Sequence, residues 1–475
     1  MLLAVILVPV VLGALTLAVP SARARAWLVP AVAVIHSALT AWIVISPPPP
    51  MFGRWLAMGP LGRVIVAVLS AQYLVCSFYI PGYLAARPER PNRVFCAALI
   101  ALNGTMSIVA LSHHLGLMWV GIETSTLATA PLIYFHRSSR SLEATWKYLL
   151  IGSVGIAFAL FGSFFLASAA FHQGLRTSLL FEDLVADAAR LSKPWLHASF
   201  VILLVGYGTK IGLAPMHTWK PDVYGEAPGV VGALLAGGMT TCAFCALLRF
   251  VQIMNAAGDG DLARGMLLAF GLISIAVAAA FMIRQRDFKR MLAYSSVEHM
   301  GIVAVGLGIG GLATYGALLH ILNNSFGKGV LFMSAGNLHR TYGSKLTADV
   351  QGAIHRVPVS AGLFLAGFFA ITGSPPFGLF LSELAIVRAA FTTGRYWVAS
   401  VFLALLATVF IGMGAVVFRV VQGPPGPDAR RETEPLLTVV PVMVCLAVVL
   451  VLGIYIPGWL DSALHRAAAF VEMQA

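Results

Sequence analysis

Residues 210–215 read Lys210-Ile-Gly-Leu-Ala-Pro215, and residues 372–378 read Thr372-Gly-Ser-Pro-Pro-Phe-Gly378. Each stretch interrupts a long apolar run with glycine and proline. Proline removes a backbone donor from a helix and clashes with the turn before it, so carbonyls are freed. In lipid such groups are tolerated only where protein buries them or an aqueous cavity meets them. Two such breaks imply a membrane bundle with a polar interior, and their spacing decides its architecture.

Outward from the breaks the chain is apolar almost throughout. Of 475 residues, 59% are hydrophobic and 11% charged. A water-soluble protein of this length could not hide so much apolar surface. Runs long enough to cross a bilayer recur near 2–20, 26–46, 61–83, 93–112, 114–135, 144–170, 198–219, 228–252, 262–284, 292–309, 311–338, 357–392, 396–420 and 434–456. The expected fold is an all-α polytopic membrane protein of about fourteen transmembrane helices. Broken helices 7 and 12 lie five spans apart. Because five is odd, a tandem five-helix unit must invert its second copy, so spans 4–8 and 9–13 are expected to form two inverted repeats. The chain then divides into N-terminal helices 1–3 (1–90), a first repeat (91–255), a second, inverted repeat (256–422), and a C-terminal helix with a short tail (423–475).

The net charge of +12 does not indicate nucleic acid, because the basic residues stand singly or in short clusters between apolar runs. They fit orientation by the positive-inside rule instead. Arg87–Arg93, Arg137–Arg140, Arg284–Arg290, Arg340–Arg356 and Arg419–Arg431 all fall in alternate connections. This pattern puts both termini on the periplasmic side of a prokaryotic cytoplasmic (inner) membrane, with the first helix retained because no basic region precedes it. The loops Pro47–Pro50 and Gly423–Pro427 read as spacers. Five cysteines lie within apolar runs, and Cys242 and Cys245 read as packing residues despite their C-x-x-C spacing. The chain has no haem, iron–sulfur, flavin or nucleotide motif, so it is expected to carry no cofactor.

Ionisable side chains at bilayer depth cost about 2.5–3.5 kcal/mol each on insertion scales and need a reason to be there. Glu123 lies mid-span, Lys210 precedes the first break, and Glu383 follows the second. His320, Asn324 and Lys328 recur every fourth residue and share one helix face. Burial disfavours the charged form of a group and an opposite charge favours it, so a buried Lys holds or releases its proton according to a nearby Glu. Glu123, Lys210, His320, Lys328 and Glu383 are the expected proton relay, against the alternative of fixed pairs bracing the bundle. Lesser candidates are Lys147, His217, Thr241, Glu298, His299 and Asn324. Lys147 is either a network member or the i,i+4 partner of Glu143. Glu298 and His299, near one end of span 10, serve either proton uptake or loop anchoring. His217 sits beside Pro215 and supports the break, and His113 and His114 read as interfacial. No H-x-x-x-H or H-E-x-x-H pairing is present, so no metal site is expected.

Lys210-Ile-Gly-Leu-Ala-Pro-Met-His-Thr-Trp-Lys-Pro-Asp222, with Glu226-Ala-Pro after it, resembles the span-7 motif of the antiporter-like subunits of respiratory complex I, relatives of Mrp-type cation/proton antiporters. Asp287-Phe-Lys-Arg-Met-Leu-Ala-Tyr-Ser-Ser-Val-Glu-His-Met-Gly301 matches the next motif, and the likeness covers roughly residues 90–420. Ser141-Leu-Glu-Ala-Thr-Trp-Lys-Tyr148 and Ser296-Val-Glu-His-Met300 look closest to the F component of hydrogenase-4-type, group 4 nickel–iron hydrogenases. The resemblance implies a Glu123–Lys210 pair, a span-11 relay through His320 and Lys328, and Glu383 as the last group. It also implies partners: other antiporter-like and quinone-site-like membrane subunits, and peripheral hydrogenase-like subunits carrying iron–sulfur clusters and a NiFe (nickel–iron) centre. Protons, or sodium in their place, are what would move. The family's span-8 lysine is missing, since that region reads Met239-Thr-Thr-Cys-Ala-Phe244. Thr240 and Thr241 then hold water there, or the path is rerouted. The tail also lacks the long lateral helix of the largest complex I pump subunit.

Overall fold

The structure, a computed structural model, describes residues 1–176, 178–424 and 430–473, so residues 425–427 of the expected Gly423–Pro427 spacer lie outside the described residues. Twenty helices follow one another: α1 (Leu2–Thr16), α2 (Ala22–Ile45), α3 (Pro60–Ala85), α4 (Arg93–Leu111), α5 (Leu115–Ile133), α6 (Ser139–Phe171), α7 (Phe181–Ala186), α8 (Lys193–Ile211), α9 (Lys220–Glu226), α10 (Gly229–Leu234), α11 (Thr240–Ala256), α12 (Gly260–Met282), α13 (Phe288–Ile309), α14 (Leu312–Tyr342), α15 (Ala353–Arg356), α16 (Pro358–Ile371), α17 (Gly378–Thr392), α18 (Tyr396–Gln422), α19 (Leu436–Ile454) and α20 (Gly458–Glu472). A π-helical turn, Leu235–Met239, joins α10 to α11.

Among the described residues nine helices are long and apolar enough to cross a membrane: α2, α3, α4, α6, α10–α11, α12, α13, α18 and α19. The other five expected spans deviate for a physical reason. α1 and α16 are apolar but short. α5, α8 and α14 reach 19, 19 and 31 residues but fall short in apolarity, and α17 has 15 residues. Those last four carry Glu123, Lys210, His320 with Lys328, and Glu383. The polar cargo is what lowers their hydropathy. They are sheltered by α10–α11 and α13, whose apolar windows are wholly buried, while α2, α6, α18 and α19 present most of theirs outward, as a lipid solvent requires.

Both breaks repeat one local design. α8 ends at Ile211, where Gly212 takes φ 77° and donates to Gly208 O at 2.8 Å. Two of the break's other polar groups find partners: Trp219 Nε1 donates to Thr209 O (2.8 Å), and Ser274 Oγ receives the Ala214 N–H (2.9 Å). α16 ends at Ile371, and Gly373 takes φ 64° before the chain resumes as α17. Each left-handed glycine opens a Gly-x-x-Pro run, Gly212-Leu-Ala-Pro215 and Gly373-Ser-Pro-Pro376, and only glycine enters that backbone region without strain.

The expected short tail is instead a helix. α20 lies across one end of the bundle, where Gln252 Nε2 and Asn255 Nδ2 donate to Phe470 O and Val471 O at 3.0 and 2.9 Å. Tyr315 OH donates to Asp461 there at 2.7 Å, and Arg264 pairs with Glu472 at 2.6 Å. The basic connections gather at the other end.

Candidate functional site

The first cluster is assembled from α5, α6 and α8. Glu123 and Lys210 do not meet as an ion pair. Each is held by a hydroxyl of α6, Ser153 donating to Glu123 Oε1 at 3.0 Å and Lys210 Nζ donating to Tyr148 OH at 3.1 Å. The Lys210 ammonium also lies 4.3 Å from the Tyr148 ring centroid. Tyr148 passes its own proton donation to Thr129 Oγ1 at 3.2 Å. Gly152, one turn after Tyr148, packs beside the amine: a Cβ there would meet Nζ at 3.5 Å, an ordinary contact. The second carboxylate oxygen of Glu123 is buried and unpartnered. The two groups are thus held apart by separate hydroxyls and are not neutralised by direct contact.

At the break after α8, Lys220 is 0% exposed, and its Nζ has no hydrogen-bond partner. It is boxed by Trp219 and Tyr224, 6.0 and 5.8 Å from their ring centroids. Nothing in the local sequence marks this residue's place, since beside Pro221 and Asp222 it reads as a loop lysine. His217 lies in the same break with Nδ1 buried and unpartnered, its ring 6.2 Å from that of Tyr294. In the helix that lacks a lysine, Thr240 and Thr241 spend their hydroxyls on Ala236 O and Gly237 O of the π-helical turn, and Thr241 meets Ser325 Oγ at 3.5 Å. Asn324, between His320 and Lys328, turns its amide toward Ala236 O (3.5 Å) and leaves Oδ1 unpartnered.

The second cluster joins α13, α14 and α17. Lys328 Nζ donates to Ser295 Oγ at 2.7 Å. Ser295 stands one turn before Glu298 on α13, within hydrogen-bonding reach of its carboxylate. Glu298 Oε2 lies 3.8 Å from His299 Nε2, His299 Nδ1 bonds His320 Nε2 at 2.9 Å, and His320 Nδ1 bonds Ser382 Oγ at 2.9 Å. Glu383 follows Ser382, its carboxylate lying where a Cβ on Gly373 would stand. One expectation is corrected here. Glu298 and His299 are not at a membrane edge; both are buried, 3% and 0% exposed, because α13 begins at Phe288 and carries them about three turns inward. And although no single helix bears a metal-binding pair, three helices bring donor atoms of His299, His320 and Glu383 within 4.8 Å of one another. Two imidazoles and a carboxylate are a donor set a transition metal accepts. The His299–His320 hydrogen bond equally suits proton exchange between rings.

Toward the basic end the first cluster opens on a cleft of about 1130 Å³, lined among others by Lys147, Asp222, Arg290, Glu226 and Lys345. Lys147 is half-exposed at this mouth rather than deep in the bundle, paired with both Glu143 and Asp222 at 2.7 Å. Arg290 reaches Asp222 at 3.2 Å, and Lys345 reaches Glu226 at 2.6 Å and Asp287 at 3.4 Å. At the other end His113 bonds Glu182 through Nδ1, and Arg249 NH2 stands 3.0 Å from its Nε2. Burial holds His113 below the ordinary histidine value. Burial alone would raise the Glu182 carboxyl, but the hydrogen bond and charge of His113, a backbone hydrogen bond and the Arg249 charge together keep the group below its usual range.

Residues 112–412 match the family described as NADH:quinone oxidoreductase/Mrp antiporter, transmembrane. The chain is 32% identical over 465 residues to a hydrogenase-4 component F homologue of Methylacidiphilum infernorum, covering 96% of each chain. It is also 32% identical over 428 residues to NADH-quinone oxidoreductase subunit N of Desulforudis audaxviator, covering 86% of this chain and 83% of that one. A chain of the membrane-bound sulfane sulfur reductase, an archaeal respiratory membrane complex, shares the fold with a TM-score of 0.89 at 18% identity, covering 99% of this chain and 97% of that one.

Proposed function

The chain belongs to the NADH:quinone oxidoreductase/Mrp antiporter transmembrane family, and from that premise we propose that it is the proton-translocating membrane subunit of a complex-I-like redox assembly. One observation carries this reading: Lys210, Glu298, His299, His320, Lys328 and Glu383 are buried in the bundle interior, with Glu123 partly buried, and each of the two clusters contains hydroxyls or imidazoles, bonded to these groups, that can both give and accept a proton. Protons enter at the cleft beside Lys147 and Asp222. They load Lys210 under the control of Glu123, and pass to Lys328, Glu298, His299, His320 and finally Glu383. Moving one charge against 100 mV costs about 2.3 kcal/mol, and the chain has no redox motif, so partner subunits supply the energy.

The similarity to a hydrogenase-4 component F homologue over nearly the full length favours a group 4 nickel–iron hydrogenase of formate hydrogenlyase type as the assembly. Its peripheral subunits would hold the iron–sulfur clusters and the nickel–iron centre. The similarity to an NADH-quinone oxidoreductase subunit N keeps complex I as the second reading. The fold is read as fourteen spans, the five short or polar ones completing the nine apolar helices, with spans 4–8 and 9–13 as inverted repeats. The matched Gly-x-x-Pro breaks support that symmetry. The basic end faces the cytoplasm and both termini face the periplasm.

The test is Lys210→Met in the intact complex, with protons moved per electron measured in native membrane vesicles. The ratio is expected to fall while electron transfer continues, and an unchanged ratio refutes the relay. Mass spectrometry of the gently solubilised complex, by finding hydrogenase or NADH-module subunits, separates the two assemblies.

A further inference from the structure

We propose that Lys220 is the proton carrier that joins the two halves of the path, taking the place of the lysine that span 8 lacks. The inference rests on the relay function proposed above.

Three observations meet at this residue. The first is its burial. An ammonium group has three donors, yet Lys220 is 0% exposed and Nζ has no hydrogen-bond partner. Among the described residues no ion pair holds it, so nothing fixes the amine in one protonation state, as Asp222 fixes Lys147. A structural lysine at this depth would be expected to have an acceptor, as Lys289 has in Ala227 O at 2.7 Å.

The second is its position. Lys210 stands over the Tyr148 ring, which lies 5.3 Å from the Trp219 ring, and Trp219 with Tyr224 encloses Lys220. The Tyr224 hydroxyl is buried and unpartnered, and its ring centroid lies 5.8 Å from the amine. Tyr224 in turn packs on Phe332 of α14, ring centroids 5.5 Å apart, and α14 carries Lys328, within whose electrostatic reach Lys220 lies. The residue thus stands between the last group of the first cluster and the first group of the second. The span-8 position offers only Thr241, whose hydroxyl is already donated to Gly237 O.

The third is the match between the breaks. In the first, the space beside left-handed Gly212 is filled by the end of the Lys220 side chain, whose Nζ would lie 2.9 Å from a Cβ built there. In the second, the space beside left-handed Gly373 is filled by the Glu383 carboxylate. The same glycine of the same Gly-x-x-Pro run cradles an ionisable group from the half-helix that follows. Lys220 is to the first break what Glu383, the last group of the path, is to the second.

The step balances without a co-reactant. The neutral Lys220 amine accepts one proton from the Lys210 ammonium by way of the Tyr148 and Tyr224 hydroxyls and intervening water. The resulting ammonium then gives one proton to the neutral Lys328 amine, and the amine of Lys220 is restored.

Two variants of the intact complex, Lys220→Met and Lys220→Arg, are compared with Lys210→Met for assembly, electron-transfer rate and protons moved per electron in membrane vesicles. Arginine keeps the cation but does not release its proton, so a structural or purely electrostatic role would survive it. The expected result is that both Lys220 variants assemble, transfer electrons, and fall to the proton ratio of Lys210→Met. A wild-type ratio in either variant, with Lys210→Met still impaired, overturns the proposal and leaves the relay reading intact. A wild-type ratio in Lys210→Met itself overturns both. Failure of both Lys220 variants to assemble would make the residue structural and also overturn the proposal.

Discussion

Replacing Tyr148 with phenylalanine isolates one link of the path. The hydroxyl receives the Lys210 ammonium at 3.1 Å and donates to Thr129 at 3.2 Å, while the ring face lies 4.3 Å from the same ammonium. Phenylalanine removes the oxygen and keeps the ring, so packing and the cation–π contact persist. Thr129 is not stranded, because its hydroxyl still donates to Ser125 O. A hydrogen bond to a charged group contributes about 1.5–3 kcal/mol. At about 1.4 kcal/mol per tenfold in rate, loading a proton on Lys210 should slow roughly tenfold to hundredfold. The measurement is proton movement per electron in vesicles containing the intact complex, with electron transfer followed in parallel. Tyr207→Phe is the control: its hydroxyl, one turn earlier on α8, is buried without a partner, and its ring stacks on Phe250 at 5.5 Å. Removing an unsatisfied hydroxyl should leave pumping unchanged and stability equal or slightly higher. Wild-type pumping in Tyr148→Phe, or equal impairment in Tyr207→Phe, would refute the assignment of the hydroxyl to the path.

Two further outcomes are expected from the same geometry. Lys328→Met removes the buried cation within electrostatic reach of Glu298 and should lower stability, whereas Lys328→Met with Glu298→Gln should recover part of that loss. Thermal unfolding in detergent checks this, and strictly additive losses would show that the two groups do not interact. The junction of His113, Glu182 and Arg249 should weaken in acid. His113 sits below its unfolded value near 6.5, so the unfolded chain binds the extra proton and stability falls as pH drops below about 6.5. Glu182, also held below its unfolded value, adds a further loss below about pH 4.5. A melting temperature flat between pH 7 and 5.5, or one whose slope survives His113→Gln, would contradict this.

Much of this architecture was legible because the bilayer leaves the sequence few choices. The two Gly/Pro breaks stand where helices α8 and α16 end, and Glu123, Lys210, His320, Lys328 and Glu383 are conspicuous against apolar neighbours. What stayed hidden depends on which faces meet. Ser153, Tyr148, Ser295 and Ser382 are ordinary residues until a second helix brings an amine, carboxylate or imidazole within 3.1 Å of each. Lys220 reads as a loop residue because its burial is a property of the backbone at Gly212, eight positions earlier. Glu298 was misplaced by a helix boundary: a start at Phe288 instead of 292 moves it to roughly 15 Å from the helix end, at the depth of Lys328. The tail escaped because α20 packs on the bundle through backbone carbonyls rather than through a spanning apolar run.

The same logic explains why hydropathy is weakest where the site is. Each buried ionisable group costs about 2.5–3.5 kcal/mol on insertion scales, so a helix carrying one or two cannot also read as strongly apolar. That burden is offset by neighbours such as α10–α11 and α13, whose apolar windows are wholly buried in protein. α13 combines both roles, keeping an apolar average while presenting Ser295, Glu298 and His299 to α14. A polar helix enclosed by apolar ones can hold an amine or imidazole in either protonation state without exposing it to lipid. That is the condition a proton path imposes, and it accounts for α5, α8, α14 and α17 being at once the least membrane-like segments and the ones nearest the chemistry.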